Sequence, residues 1–124
     1  MKLLIIDDST VNNIILQNLL EDLGYEIDTA LSVKDALKKI AKSPPDLILL
    51  DLMMPDVSGF DLLNKFSKDK INIPVVVISA FNDSDYKKRA LKLGARNYLL
   101  KPVDQEKLVS SIEKTLGNYE NISR

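Results

Sequence analysis

Asp7 and Asp8 stand side by side directly after the apolar run Leu3–Ile6. Burying one unpaired carboxylate is costly, and a neighbouring carboxylate adds repulsion. Something must compensate these charges. Three more polar residues close apolar runs in the same way: Asp51 after LILL, Ser79 at the end of VVVIS, and Lys101 after NYLL. Three carboxylates, a hydroxyl and an ammonium suit a hard, oxygen-preferring divalent cation such as Mg²⁺, with Mn²⁺ as an alternative. With a cation and Lys101 in place, all three acids could stay ionised together. One of them could then act as a nucleophile towards an incoming phosphoryl group.

Other chemistries are excluded by what is missing. The 124 residues contain no cysteine and no histidine. That rules out thiol nucleophiles, thiolate zinc sites, Ser-His-Asp and Cys-His catalysis, and the commonest transition-metal ligand.

For the polar residues to meet, the chain must bring the ends of its apolar runs to one place. Strand-like and helix-like segments alternate five times. The expected strands are Leu3–Asp7, Glu26–Leu31, Leu47–Asp51, Val75–Ser79 and Asn97–Leu100. Helix one is expected from an N-cap at Ser9 to a stop at Gly24, facing inward through Val11, Ile14, Ile15, Leu19 and Leu23. Helix two opens with the capping-box pattern Ser32-Val-Lys-Asp35 and carries Val33, Ala36, Leu37, Ile40 and Ala41 at helical spacing. Helix three, Phe60–Lys68, faces inward through Leu62, Leu63 and Phe66, with Gly59 as the turn into it. Helix four, Ser84–Leu93, has a thin stripe of Tyr86, Ala90 and Leu93 among lysines that form a solvated face. Helix five, Asp104–Leu116, packs through Leu108, Val109, Ile112 and Leu116.

Five such units imply an α/β fold: an open, doubly wound, five-stranded parallel sheet of the flavodoxin-like (βα)5 kind. Strands one, three and four are continuously apolar and belong in the middle, while strands two and five belong at the edges. The order 2-1-3-4-5 meets both demands. In such sheets the site lies outside the carboxyl ends of the strands, where the winding reverses. Asp7, Asp8, Asp51, Ser79 and Lys101 all fall on that edge.

Composition agrees with a single soluble domain: 45% apolar, 28% charged, and a formal charge of -1. The balance argues against a nucleic-acid-binding or membrane-attracted surface. No apolar run approaches the roughly 20 residues of a membrane span, and the N-terminus lacks a signal-peptide layout. A cytoplasmic location is expected.

The motifs IIDDS, LILLDLMMPDVSG, PVVVISA and LGARNYLLKPVD, in this order and at this spacing, resemble the receiver domain of two-component response regulators. The likeness covers residues 2 to 117, with residues 1–117 expected as the receiver domain and 118–124 as a C-terminal tail. The resemblance implies a regulatory switch and not an enzyme in its own right, with self-catalysed phosphorylation and dephosphorylation. By likeness, Asp51 is the phosphoacceptor. Asp8 and Asp51 are direct Mg²⁺ ligands, Asp7 contributes at least through water, and the Met53 carbonyl is a further ligand. Lys101 contacts the phosphoryl group, and Lys101–Pro102 is a candidate cis peptide. Ser79 is the switch hydroxyl and Tyr98 the aromatic that reorients with it, reshaping the face of helix four, strand five and helix five. The bulky side chains at Met53 and Phe81 are expected to slow hydrolysis.

The implied partners are a sensor histidine kinase or histidine phosphotransfer protein and an unidentified output partner. A homodimer could form on phosphorylation, and direct nucleic-acid or membrane contact is not expected. The stretch Asp7–Asn12 resembles receivers fused to hybrid sensor kinases, and the chain is expected to be a stand-alone regulator or an excised domain. Ser58 departs from the acidic or amide residue found in many relatives, and Ser79 replaces the commoner threonine.

Plainer readings exist for each residue. An Asp pair after a strand is often an N-cap, a serine at a strand end is commonplace, Lys101 could be a solvated loop residue, and Tyr98 could be plain packing. Two rival functions also carry distinct marks. An aspartyl-nucleophile phosphohydrolase would place an acid two residues after Asp51, where this chain has Met53. A pseudo-receiver scaffold would typically lack one of the acids or the lysine, and this chain has all four.

Overall fold

The structure is a computed structural model that describes residues 1–52, 54 and 58–122, with residues 118–122 described by backbone alone. Met53, expected to offer a carbonyl ligand, lies outside the described residues.

Five parallel strands, β1 (Lys2–Ile6), β2 (Glu26–Ala30), β3 (Leu47–Leu50), β4 (Val75–Ser79) and β5 (Asn97–Leu100), form one sheet in the order β2-β1-β3-β4-β5. Five α-helices connect or follow them: α1 (Thr10–Leu20), α2 (Val33–Lys42), α3 (Gly59–Lys68), α4 (Ser84–Lys92) and α5 (Gln105–Ile122). Neighbours in the strands alternate between the two faces, so the sheet divides the core in two. Leu4, Ile6, Ile48, Leu50, Val75 and Val77 pack under α2, α3 and α4. Leu3, Ile5, Leu47, Leu49, Val76 and Ile78 pack under α1 and α5. All residues of β3 and β4 are buried, as helices on both faces require.

Local chemistry sets the helix starts. Ser9, Ser32 and Asp83 cap α1, α2 and α4 by accepting backbone amides of the first turn. Ser58 and Asp61 form a reciprocal capping box at α3. This gives the departure at Ser58 a structural role.

The inward face of α1 differs from expectation. Val11, Ile14 and Ile15 are exposed, as is Leu23 beyond the helix, and the buried positions are Asn13, Leu16 and Leu20. Both sets have helical spacing, and the polar Asn13 hid the true one. Its side-chain Nδ2 donates to the Asp7 carbonyl at 3.1 Å and offsets part of the cost of burial, while its buried Oδ1 has no hydrogen-bond partner among the described residues. In α2, Ala41 is exposed while Val33, Ala36 and Ile40 are buried. The α5 helix continues to Ile122, past the expected end at Leu116.

Candidate functional site

Sheet register carries the candidate residues to one edge. Ile6 pairs with Leu50, Leu50 with Val77, and Ser79 with Leu100, so the strands end together. Backbone hydrogen bonds continue one residue past the strands. The Asp51 amide donates to the Ile6 carbonyl at 2.9 Å, the Asp7 amide to Ala30 at 3.1 Å, and the Lys101 amide to Ser79 at 2.8 Å. The side chains thus project from backbone that the sheet already holds.

One carboxylate oxygen each from Asp7, Asp8 and Asp51 lies within 4.8 Å of the others. Asp7 is only 2% exposed, Asp51 is buried and Asp8 is exposed. The Lys101 ammonium lies 2.8 Å from Asp7 and 3.6 Å from Asp51. The other Asp7 oxygen accepts the Ser9 amide at 2.9 Å, at the start of α1. Three carboxylates therefore face one ammonium, and negative charge is in excess. Clustered oxygen donors with excess negative charge fit a small divalent cation of the Mg²⁺ type. The Lys101–Pro102 peptide is cis.

Gly59 acts by close approach. A Cβ there would meet the Asp51 carbonyl oxygen at 2.7 Å and Leu52 Cα at 2.8 Å. The missing side chain lets α3 begin directly against the Asp51 backbone, and the Gly59 amide donates to the Leu52 carbonyl at 2.8 Å.

Ser79 is fully buried, and its Oγ accepts the Phe81 amide at 3.1 Å. The buried Tyr98 donates its hydroxyl to the Phe81 carbonyl at 2.8 Å. One residue's main chain thus contacts both. Sequence reasoning missed this link, since a backbone contact leaves no trace in residue type. It also missed Asn13 behind Asp7, although a polar residue at three- and seven-residue spacing from Leu16 and Leu20 was an available signal.

A five-stranded parallel sheet in the order β2-β1-β3-β4-β5, with three acids, a lysine and a serine at the ends of its strands, defines the class of doubly wound, flavodoxin-like α/β domains with an acidic site at the switch point. The family model described as the response regulator receiver domain matches residues 3–113, and the chain belongs to that family. It is 36% identical over 118 residues to the chemotaxis protein CheY of Treponema pallidum, covering 93% of this chain and 82% of that protein. It is 34% identical over 116 residues to the transcriptional regulatory protein ZraR of Salmonella typhimurium, covering 94% of this chain but 26% of that protein. The chain thus spans about a quarter of the length of that relative. Among solved structures, a CheY-like receiver domain protein from Methanospirillum hungatei aligns with a TM-score of 0.88 at 29% identity, covering 97% of this chain and 96% of that one. A two-component response regulator from Clostridium difficile aligns with a TM-score of 0.88 at 32% identity, covering 94% and 95%. Receiver domains of response regulators are regulatory signalling domains. Among the described residues, no helix is long and apolar enough to cross a membrane.

Proposed function

We propose that this domain is a phosphorylation-activated switch with Asp51 as its phosphoacceptor. The observation that carries this reading is the reach of Lys101 to both Asp7 and Asp51, which places a cation beside the candidate nucleophile. An Asp51 oxygen attacks the phosphorus of a phosphohistidine. The O–P bond forms, the P–N bond breaks, and its electron pair returns to the imidazole. No histidine occurs in these 124 residues, so the donor lies outside them. Asp7, Asp8 and Asp51 would hold Mg²⁺, which when bound offsets charge on the phosphoryl oxygens. Lys101 supplies a fixed positive charge to the same oxygens, and its tie to Asp7 keeps the ammonium aimed there.

The exposed Val11, Ile14 and Ile15 share one face of α1, the helix that begins two residues after Asp8. Helix α1 carries no charged residue, so it offers an apolar seat for a donor's helix. On the far side of the site, Ser79 and Tyr98 couple the phosphoryl state to α4, β5 and α5. Ser79 retains its own hydroxyl proton to donate to an acyl phosphate. Helix α4 buries only Ala90 fully, which suits an element that shifts between two arrangements. An output partner would bind this reshaped face.

Intact-mass measurement after incubation with acetyl phosphate tests the reading. The expected result is a single phosphoryl gain that requires Mg²⁺ and disappears in Asp51→Asn. A folded wild type that gains nothing with Mg²⁺ present overturns it in favour of a binding scaffold.

A further inference from the structure

The backbone contacts of Phe81 to Ser79 and Tyr98 hold only if the Phe81 segment is itself held. Phe81 is 41% exposed, so burial alone does not fix it. Its ring instead meets the edge of the Tyr86 ring, with centroids 5.6 Å apart and planes at 74°. Tyr86 in turn meets Phe60 edge-to-face at 5.7 Å and 69°. The Arg89 guanidinium lies over the Phe60 ring, 4.1 Å from its centroid. Phe60 is buried and follows Gly59, the residue pressed against the Asp51 backbone. A continuous line of contacts therefore runs from the Asp51 backbone through Phe60 and Tyr86 to Phe81, and ends at Ser79 and Tyr98.

We propose that Tyr86 is a positioning residue, whose ring between Phe60 and Phe81 holds the Phe81 segment where its amide meets Ser79 and its carbonyl meets Tyr98. The contribution to the switch rests on the phosphoacceptor reading above, but the positioning itself does not. The Tyr86 ring is the only bridge between Phe60 and Phe81 among the ring contacts of the described residues. Each edge-to-face pair shifts a local equilibrium about two- to tenfold. Losing both pairs at Tyr86 frees the Phe81 segment, and Arg89 acts one step back by fixing Phe60. Since α4 has little else buried, the same column makes the start of α4 and the 80–82 segment move as one piece.

The test uses the unphosphorylated chain, so its failure leaves the phosphoacceptor reading untouched. Amide hydrogen exchange is measured by NMR in wild type, Tyr86→Leu and Tyr86→Phe, together with the ¹³Cζ resonance of Tyr98, assigned through Tyr98→Phe. In Tyr86→Leu, the Phe81 amide is expected to exchange about tenfold faster while amides of β1 and β3 stay within about twofold. The Tyr98 resonance should shift as its hydroxyl loses its acceptor. Tyr86→Phe keeps the ring and should match wild type in both readouts. Arg89→Gln, at an exposed position that folding tolerates, should move both readouts the same way by about two- to threefold. An unchanged Phe81 amide in Tyr86→Leu overturns the proposal. So does equal acceleration of the β1 and β3 amides, which would mean a general loss of stability. Should Tyr86→Leu fail to fold, an Arg89→Gln variant with wild-type Phe81 exchange overturns it as well.

Discussion

The Lys101 ammonium sits 2.8 Å from the Asp7 carboxylate, joining the ends of β5 and β1 across 94 residues of sequence. The contact is nearly dry on the Asp7 side, at 2% exposure, and more open on the lysine side, at 22%. Asp51, 3.6 Å from the same ammonium, shares that one cation. Lys101 is therefore the structural counter-charge of the acids and, in the proposed reaction, also the group aimed at the phosphoryl oxygens.

Removing this charge should separate those two roles. Lys101→Ala is expected to lower stability by about 1–3 kcal/mol in urea unfolding, because two buried carboxylates lose their cation and water only partly replaces it. Added Mg²⁺ should recover more stability in the variant than in wild type, since it offsets the same excess charge. Phosphorylation by acetyl phosphate should slow by about 10²–10³-fold, the usual effect of deleting one preorganised charge stabiliser. Equal phosphorylation rates in variant and wild type would remove Lys101 from the reaction.

At Gly59 the smallest possible addition should be felt. A Cβ there meets two backbone atoms of the Asp51–Leu52 segment at 2.7 and 2.8 Å, and backbone does not swing aside as a side-chain tip can. Gly59→Ala is expected to cost about 1–3 kcal/mol, typical of an overpacked site. It should also slow acetyl phosphate labelling by displacing Asp51. An unaltered denaturation midpoint would show that α3 can move away freely.

Much of this was legible because period and polarity agreed. The runs LLII, LILL and VVVIS could only be central strands, and each delivered its following or final polar residue to the same edge. The order of the sheet followed from which strands were wettest. Helix α1 was harder to orient, since apolar residues occur on more than one side and the buried polar Asn13 occupies an inward slot. Its reason for being there is the Asp7 carbonyl, a partner defined only by the fold. Gly59 looked like a turn residue, but its value lies in a close approach between segments eight residues apart. The Phe81 link and the Tyr86 column depend on backbone direction and ring geometry, which residue type does not encode.

Alkaline stability should report on Tyr25, near the start of β2. Burial raises its phenol pKa above the ordinary value of 10.0, and the nearby Glu113 carboxylate raises it further. The folded state thus favours the neutral phenol. Its contribution is fully present below the unfolded pKa and is lost as pH rises through the higher folded value. Wild type should therefore lose stability more steeply above about pH 10 than Tyr25→Phe, as measured by denaturant midpoints across pH. Parallel profiles would mean that the phenolate gains water in the folded protein.

The exposed edge of α1 should matter to a protein donor and not to a small one. Val11, Ile14 and Ile15 are 64%, 49% and 50% exposed, and no charged residue interrupts the helix from Thr10 to Leu20. Folding alone does not explain three large apolar side chains left in water on the helix that follows the acids, since Asn13, Leu16 and Leu20 already occupy the inward face. A donor that lays an apolar helix here would bury them while bringing its phosphohistidine to Asp51. Ile14→Asp places a charge in the middle of that patch, and at an exposed position it should change stability by no more than about 0.5 kcal/mol. Transfer from a histidine phosphotransfer protein that labels the wild type is expected to fall at least about tenfold, through desolvation of the new carboxylate at the interface. Acetyl phosphate makes no such contact, so its labelling rate should stay within about twofold. A variant that accepts phosphate equally well from the protein donor would move the docking surface away from α1. A variant slowed equally with both donors would show instead that Ile14 supports the acid site itself.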